Sequence, residues 1–226
     1  MKSLRIARQL LWANRWLWLV LVLCPWGMAA ILLIGDLHPS PEDTTAIFQQ
    51  QGIYGLALVA FAGGALLGNE QRSRRIALVL SRAVSRRQYL AALWLAAFLP
   101  LLLYVLDLAL TAPLLGAPAD VLWQTLGALL LLSLTLASLA VLASLALPGV
   151  IAGILSLGML SVPLLLPSGW QIAQTRLLQI LLSGPITENA RLVFGSGLLE
   201  ALALSAATFE GAVRIFERRD LRLKSE

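Results

Sequence analysis

Residues 70–89 read EQRSRRIALVLSRAVSRRQY, and this stretch decides how the rest of the chain is read. It lies between two strongly apolar segments and carries six arginines in twenty residues, with Ile76, Val79, Leu80 and Ala83 at helical spacing among them. So basic a segment cannot sit in hydrocarbon, where one arginine near the bilayer centre costs roughly 2.5–3.5 kcal/mol on insertion scales. It is expected as a water-facing helix held between two membrane spans.

The composition around it agrees. The 226 residues are 59% hydrophobic and 13% charged, with a mean hydropathy of +0.83, whereas about a quarter of the residues of a soluble domain are charged. The fold class read from this is all-α, a polytopic membrane protein. The net charge of +5 does not point to nucleic acid, because the basic residues cluster at the ends of apolar runs, where membrane topology places them. Cys24 is the one cysteine, so the chain has no internal disulfide and no CxxC metal or redox pair; it is read as a small buried hydrophobe.

Residues 1–15 form the first unit. Leu4, Ala7, Leu10 and Leu11 make an apolar stripe with Lys2, Arg5, Arg8 and Arg15 around it and Trp12 and Trp16 at its end, the pattern of a helix lying in the headgroup layer. Residues 16–226 form the transmembrane domain. The first apolar run, 16–34, is about the length a span needs and is expected to be an uncleaved anchor, kinked at Pro25 and Gly27. Ser40, Pro41, Glu42 and Asp43 make a helix start, with a capping serine, proline at the first helical position and acids in the first turn. The second span, 52–68, follows on that helix, and Gly63, Gly64 and Gly68 allow another helix to come close.

After residues 70–89, Ser85 and Gln88 read as a capping box that starts the third span, 91–115. Asp120 is expected to cap the fourth, 121–147. Pro148 and Gly149 break that helix, and the fifth span runs on to 166. Residues 167–191 are too polar to span and too apolar for a free loop. Ser168 and Gln171 resemble a capping box, while Trp170, Ala173, Leu177 and Leu181 line one face before Ser183, Gly184 and Pro185 end the helix. Helices in the outer leaflet are expected here, a second one starting near Thr187. The sixth span, 193–215, leads into the basic tail 216–226. On this map fifteen of the 17 lysines and arginines fall on one side, with only Arg176 and Arg191 on the other. The bias predicts six spans with both termini cytoplasmic in a cell inner membrane.

No GxxxxGK[ST] loop, HExxH or GxSxG is present, and the lone His38 stands among prolines of a loop. The chain is therefore expected not to be an enzyme, with no metal and no cofactor of its own. Two acids lie within spans. Asp107 and Glu200 share a depth of roughly 10–12 Å below the outer surface at about 1.5 Å per residue. Either they line a translocation path, or each bonds to a helix neighbour such as Tyr104, Gln124 or Ser205 or snorkels outward. Glu210 is expected to pair with Arg214 one turn on.

Residues 70–89 resemble the segment between the second and third spans of ATP-binding cassette exporter permeases of the second type, whose pattern runs roughly E-R-E-x-G-T-L-E-x-L-L-S-x-P-V-S-R-x-x-Y. Glu70, Leu80, Ser81, Val84, Ser85, Arg86 and Tyr89 match, with Ile76 and Val79 conservative; Arg74, Arg75 and Ala83 stand where that pattern has glycine, threonine and proline. The leading amphipathic helix, the six spans, the outer helices and the basic tail resemble that family's arrangement too. The resemblance implies a permease subunit in which residues 70–89 are a coupling helix that docks on a separate ATPase through Glu70, Arg72, Arg74, Arg75, Ile76, Val79, Leu80, Arg82 and Arg86. It implies two ATPase subunits holding ATP and Mg, and a second permease copy or homologue, in contact with membrane lipids. Two alternatives stand beside it: a subunit that transmits ATPase motion to a periplasmic partner, and a non-transport membrane enzyme or scaffold.

Overall fold

The computed structural model describes residues 7, 25–27, 29–32, 34–35, 40–72, 85–165, 172–186 and 189–218, with the backbone alone at 41 and 67–72. Among these the chain is all-helical. The amphipathic helix expected over 1–15, most of the span expected over 16–34, residues 73–84, residues 166–171 and the tail from 219 lie outside the described residues.

The first long helix, α1, spans Pro41–Arg72. Its start is the one the sequence announces. The Ser40 hydroxyl accepts the Asp43 amide at 3.2 Å, and Asp43 Oδ2 accepts the Ser40 amide at 3.2 Å and the Ser40 hydroxyl at 2.6 Å. Amides that begin a helix have no partner within it, and this reciprocal pair supplies one. The bonds hold the exposed Asp43 carboxyl below its ordinary pKa of 3.8, because the Ser40 hydroxyl and then the Ser40 amide favour the charged form. One residue on, the buried Thr44 hydroxyl reaches the Leu115 carbonyl and ties this end to the following hairpin.

Helix α2 spans Arg86–Thr111 and runs into a 3-10 turn, Ala112–Leu115, closed by Gly116 in the left-handed region. Ser85 and Gln88 form the capping box read from the sequence. Helix α3, Ala119–Ser144, starts differently from expectation. Pro118 is its N-cap and Asp120 lies in the first turn without a capping bond, where its charge faces the positive end of the helix dipole.

Helix α4 covers Gly149–Ser161 and passes into a second 3-10 turn, Val162–Leu165. With 13 α-helical and four 3-10 residues, it reaches about 28 Å. The amphipathic helix α5 spans Ala173–Ser183, and α6 spans Ala190–Arg218.

Three of the described helices are long and apolar enough to cross a membrane: α2 with its 3-10 extension, α3 and α6. Helix α4 is apolar but shorter. Helix α3 is the hub, packing against every other labelled helix. Its core layer of Ala128, Leu129, Leu132, Leu136 and Ala140 is wholly buried against α1, α2 and α6. Helix α6 is the least covered, with 17% of its apolar stretch buried against 56% in α3. The large hydrophobic side chains turned outward on α2, α4 and α6 are leucine, isoleucine, valine and methionine, among them Leu106, Ile154 and Leu199. A belt of that kind suits hydrocarbon rather than water.

Glycine sets the closest crossing. A Cβ at Gly64 of α1 would run into the carbonyl of Gly149, and one at Gly149 would lie 2.8 Å from the Gly64 carbonyl oxygen. The expectation that Gly63 and Gly64 admit another helix is met, and the break at Pro148 and Gly149 is what delivers α4 to that notch.

Candidate functional site

Two groups of polar contacts stand along α6, one at its last turn and one at Glu200, about 24 Å back toward its start. The first surrounds Arg86. Glu70 and Arg72 belong to the last turns of α1, and α2 begins at Arg86, so the bracketing helices of the basic segment are in place. Arg74, Arg75, Ile76, Val79, Leu80 and Arg82 lie outside the described residues. Arg86 itself turns back to α6. Its Nη1 donates to the carbonyls of Phe216 at 3.0 Å and Glu217 at 2.6 Å, with the guanidinium carbon 5.9 Å from the Phe216 ring centroid. Terminal carbonyls of a helix have no partner within it and carry its partial negative charge, so a cation with two protons on one nitrogen is a fitting cap.

The ring of Tyr89, one turn into α2, stacks on Phe216 at 6.2 Å. Arg87 pairs with Glu210 at 3.4 Å, and Glu210 pairs with Arg214 at 3.6 Å, the i,i+4 pair expected from sequence. Both ion pairs are well exposed and contribute about 0–1 kcal/mol each. The carbonyl cap and the buried Tyr89–Phe216 stack are therefore the stronger connection between α2 and α6.

The second group surrounds Glu200. Helix α5 begins after Ile172, which takes the extended conformation of an N-cap but has no side-chain oxygen to offer. Isoleucine ranks among the poorest residues there for that reason. Glu200, from α6, supplies the missing acceptors. Its Oε1 accepts the Ala173 amide and its Oε2 the Gln174 amide, each at 3.1 Å. A carboxylate at the positive end of a helix is favoured by both charge and hydrogen bonding. Beside it the buried Gln174 amide donates to Thr135 of α3 at 2.5 Å. Leu177 and Leu181, both wholly buried as the amphipathic stripe predicts, fill notches at Gly197 of α6 and Gly52 of α1. The hydroxyls of Thr175 and Ser133 are buried and have no hydrogen-bond partner among the described residues.

The sequence puts Asp107 and Glu200 at one depth, but their bonding differs. Asp107 is half-buried on α2, and no hydrogen bond or ion pair of its carboxylate is found among the described residues. The side chains expected as partners for the two acids are engaged elsewhere. Tyr104 donates to the Gln51 carbonyl at 2.9 Å and to its side-chain oxygen at 2.5 Å. Gln124 exchanges two bonds with the Ile186 backbone, and Ser205 bonds Ser138, which also accepts from Trp94.

Sequence reasoning missed that Arg86 caps α6 and that Glu200 caps α5. A signal for the second did exist: an isoleucine at a helix start leaves amides for some other acceptor to satisfy. No family model, curated protein or solved structure matches the chain.

Proposed function

We propose that this chain is the membrane subunit of an ATP-driven exporter of the ATP-binding cassette type, with six spans and both termini in the cytoplasm. Two copies, or one copy and a homologue, enclose the path, and two separate ATPase subunits hold ATP and Mg. Residues 70–89 receive the ATPase stroke, with Ile76, Val79, Leu80 and Ala83 as the apolar docking face and the arginines pairing with carboxylates on the partner. The observation that carries this reading is the position of the basic segment between the end of α1 and the capped start of α2, with the Arg86 side chain bonded to the end of α6. A push on this segment is thereby delivered to two helices that are long and apolar enough to span.

The test is purification in mild detergent with the genomic neighbourhood expressed together. ATP hydrolysis should co-purify with the wild-type chain and be lost with Leu80→Asp while the mutant chain still inserts. Recovery of a folded wild-type chain with no ATPase subunit would overturn the proposal.

A further inference from the structure

Helix α6 is held unevenly along its length. Its buried residues fall into two blocks, Val193, Gly197 and Ala201 toward one end and Ala212, Val213 and Phe216 toward the other. Between them no residue of α6 is fully buried, and the Ser205 hydroxyl bonds Ser138 of α3. The first block carries α5, through Glu200 at its N-terminus and Leu177 in the Gly197 notch, where a Cβ would stand 2.7 Å from Leu177 Cδ1. The second block carries the start of α2, through Arg86 and Tyr89. From Glu200 to Phe216 the helix is unbroken and runs about 24 Å.

We propose that Glu200 is the pin of a latch that holds α5 docked on the bundle, and that α6 acts as the strut carrying displacements of the Arg86 end to that pin. Three features support it. The polar attachment and the glycine notch that join α5 to α6 are both local, a carboxylate on two backbone amides and one leucine against Gly197. Helix α5 cannot cap itself, because Ile172 stands at its N-cap, so leaving Glu200 exposes two amides and biases the helix between docked and released states. The docked state also carries its own cost, the buried Thr175 hydroxyl of α5, which bonds no described residue and which a shift of α5 can relieve. An element with two arrangements, biased from one end of a rigid helix, is what coupling between distant sites requires. The inference goes beyond the exporter reading and does not depend on an ATPase.

The experiment is amide hydrogen exchange on the full chain in phosphatidylcholine nanodiscs, with no ATPase present. Glu200→Leu should speed exchange over 173–181 by about tenfold or more, and Glu200→Gln, which keeps one carbonyl oxygen, by less. Arg86→Ala should speed exchange in the same peptide, at the far end of α6, while the centre of α3 over 128–141 stays protected. If the effect of Arg86→Ala stops within 212–218, the strut is wrong. If both Glu200 variants leave 173–181 unchanged, the pin is wrong. Equal loosening of α3 would mean general destabilisation and would also overturn the proposal.

Discussion

Arg86 Nη1 lies 2.6 Å from the carbonyl oxygen of Glu217, 131 positions further along the chain. This bond and its neighbour to Phe216 join the start of α2 to the end of α6 by charge-assisted hydrogen bonds, worth up to about 1.5–3 kcal/mol for the part-buried one to Phe216 and less for the exposed one to Glu217. Arg86→Ala should lower the thermal midpoint in detergent by several degrees. Arg86→Lys should recover only part of that, since an ammonium on a shorter reach cannot lie against the Phe216 ring as the guanidinium plane does. Equal stability of the lysine variant and the wild type would show that charge alone suffices.

The glycine crossing gives a second comparison. At Gly64 any Cβ meets the Gly149 backbone, which cannot swing aside as a side chain would, whereas at Gly158 nothing lies within 4 Å. Gly64→Ala should therefore cost about 1–3 kcal/mol or more through forced separation of α1 and α4. Gly158→Ala, in the exposed face of α4, should be neutral or slightly stabilising. Thermal unfolding of the two variants side by side checks this, and similar midpoints would refute the crossing.

What the sequence made legible was local. The starts at Ser40 and Ser85, the Glu210–Arg214 pair and the stripe through Leu177 and Leu181 all involve residues within a few helical turns, so spacing alone encodes them. The contacts at Arg86 and Glu200 were not legible, for two physical reasons. Their partners are distant in the chain, and they are backbone groups, which every residue carries and no pattern marks. Asp120 shows a different limit, since a carboxylate at a helix start can act through charge in the first turn as well as by capping, and Pro118 already occupies the N-cap position.

The Ser40–Asp43 pair predicts a pH dependence with a definite sign. Because hydrogen bonds from Ser40 hold the Asp43 pKa below 3.8, the ionised carboxylate favours the folded helix start. That contribution is complete above 3.8 and disappears as the pH falls through the lower folded-state pKa. The protection factors of the amides at 43–45, taken relative to the intrinsic exchange rate at each pH, should therefore fall only at strongly acid pH. In Asp43→Asn the acid-linked fall in protection should be absent, and a fall beginning near neutrality in the wild type would point to another group.

Asp107 and Glu200, which the sequence places at one depth, should respond in opposite ways to the same substitution. Glu200→Leu strips the Ala173 and Gln174 amides of their acceptor at about 1–3 kcal/mol for each buried group left unpaired, and the thermal midpoint should drop by about 5–10 °C. Asp107→Leu removes a half-buried carboxylate with no bond to any described residue and replaces it with a side chain that matches Leu103, Leu106 and Leu110 on the same helix. A charge in that setting is a cost to insertion, so the midpoint should hold or rise. If the proposed export function holds, loss of transport in Asp107→Leu with stability intact would mark Asp107 as an acid that belongs to the path. Equal destabilisation by both substitutions would show that Asp107 has a partner holding it in the folded bundle.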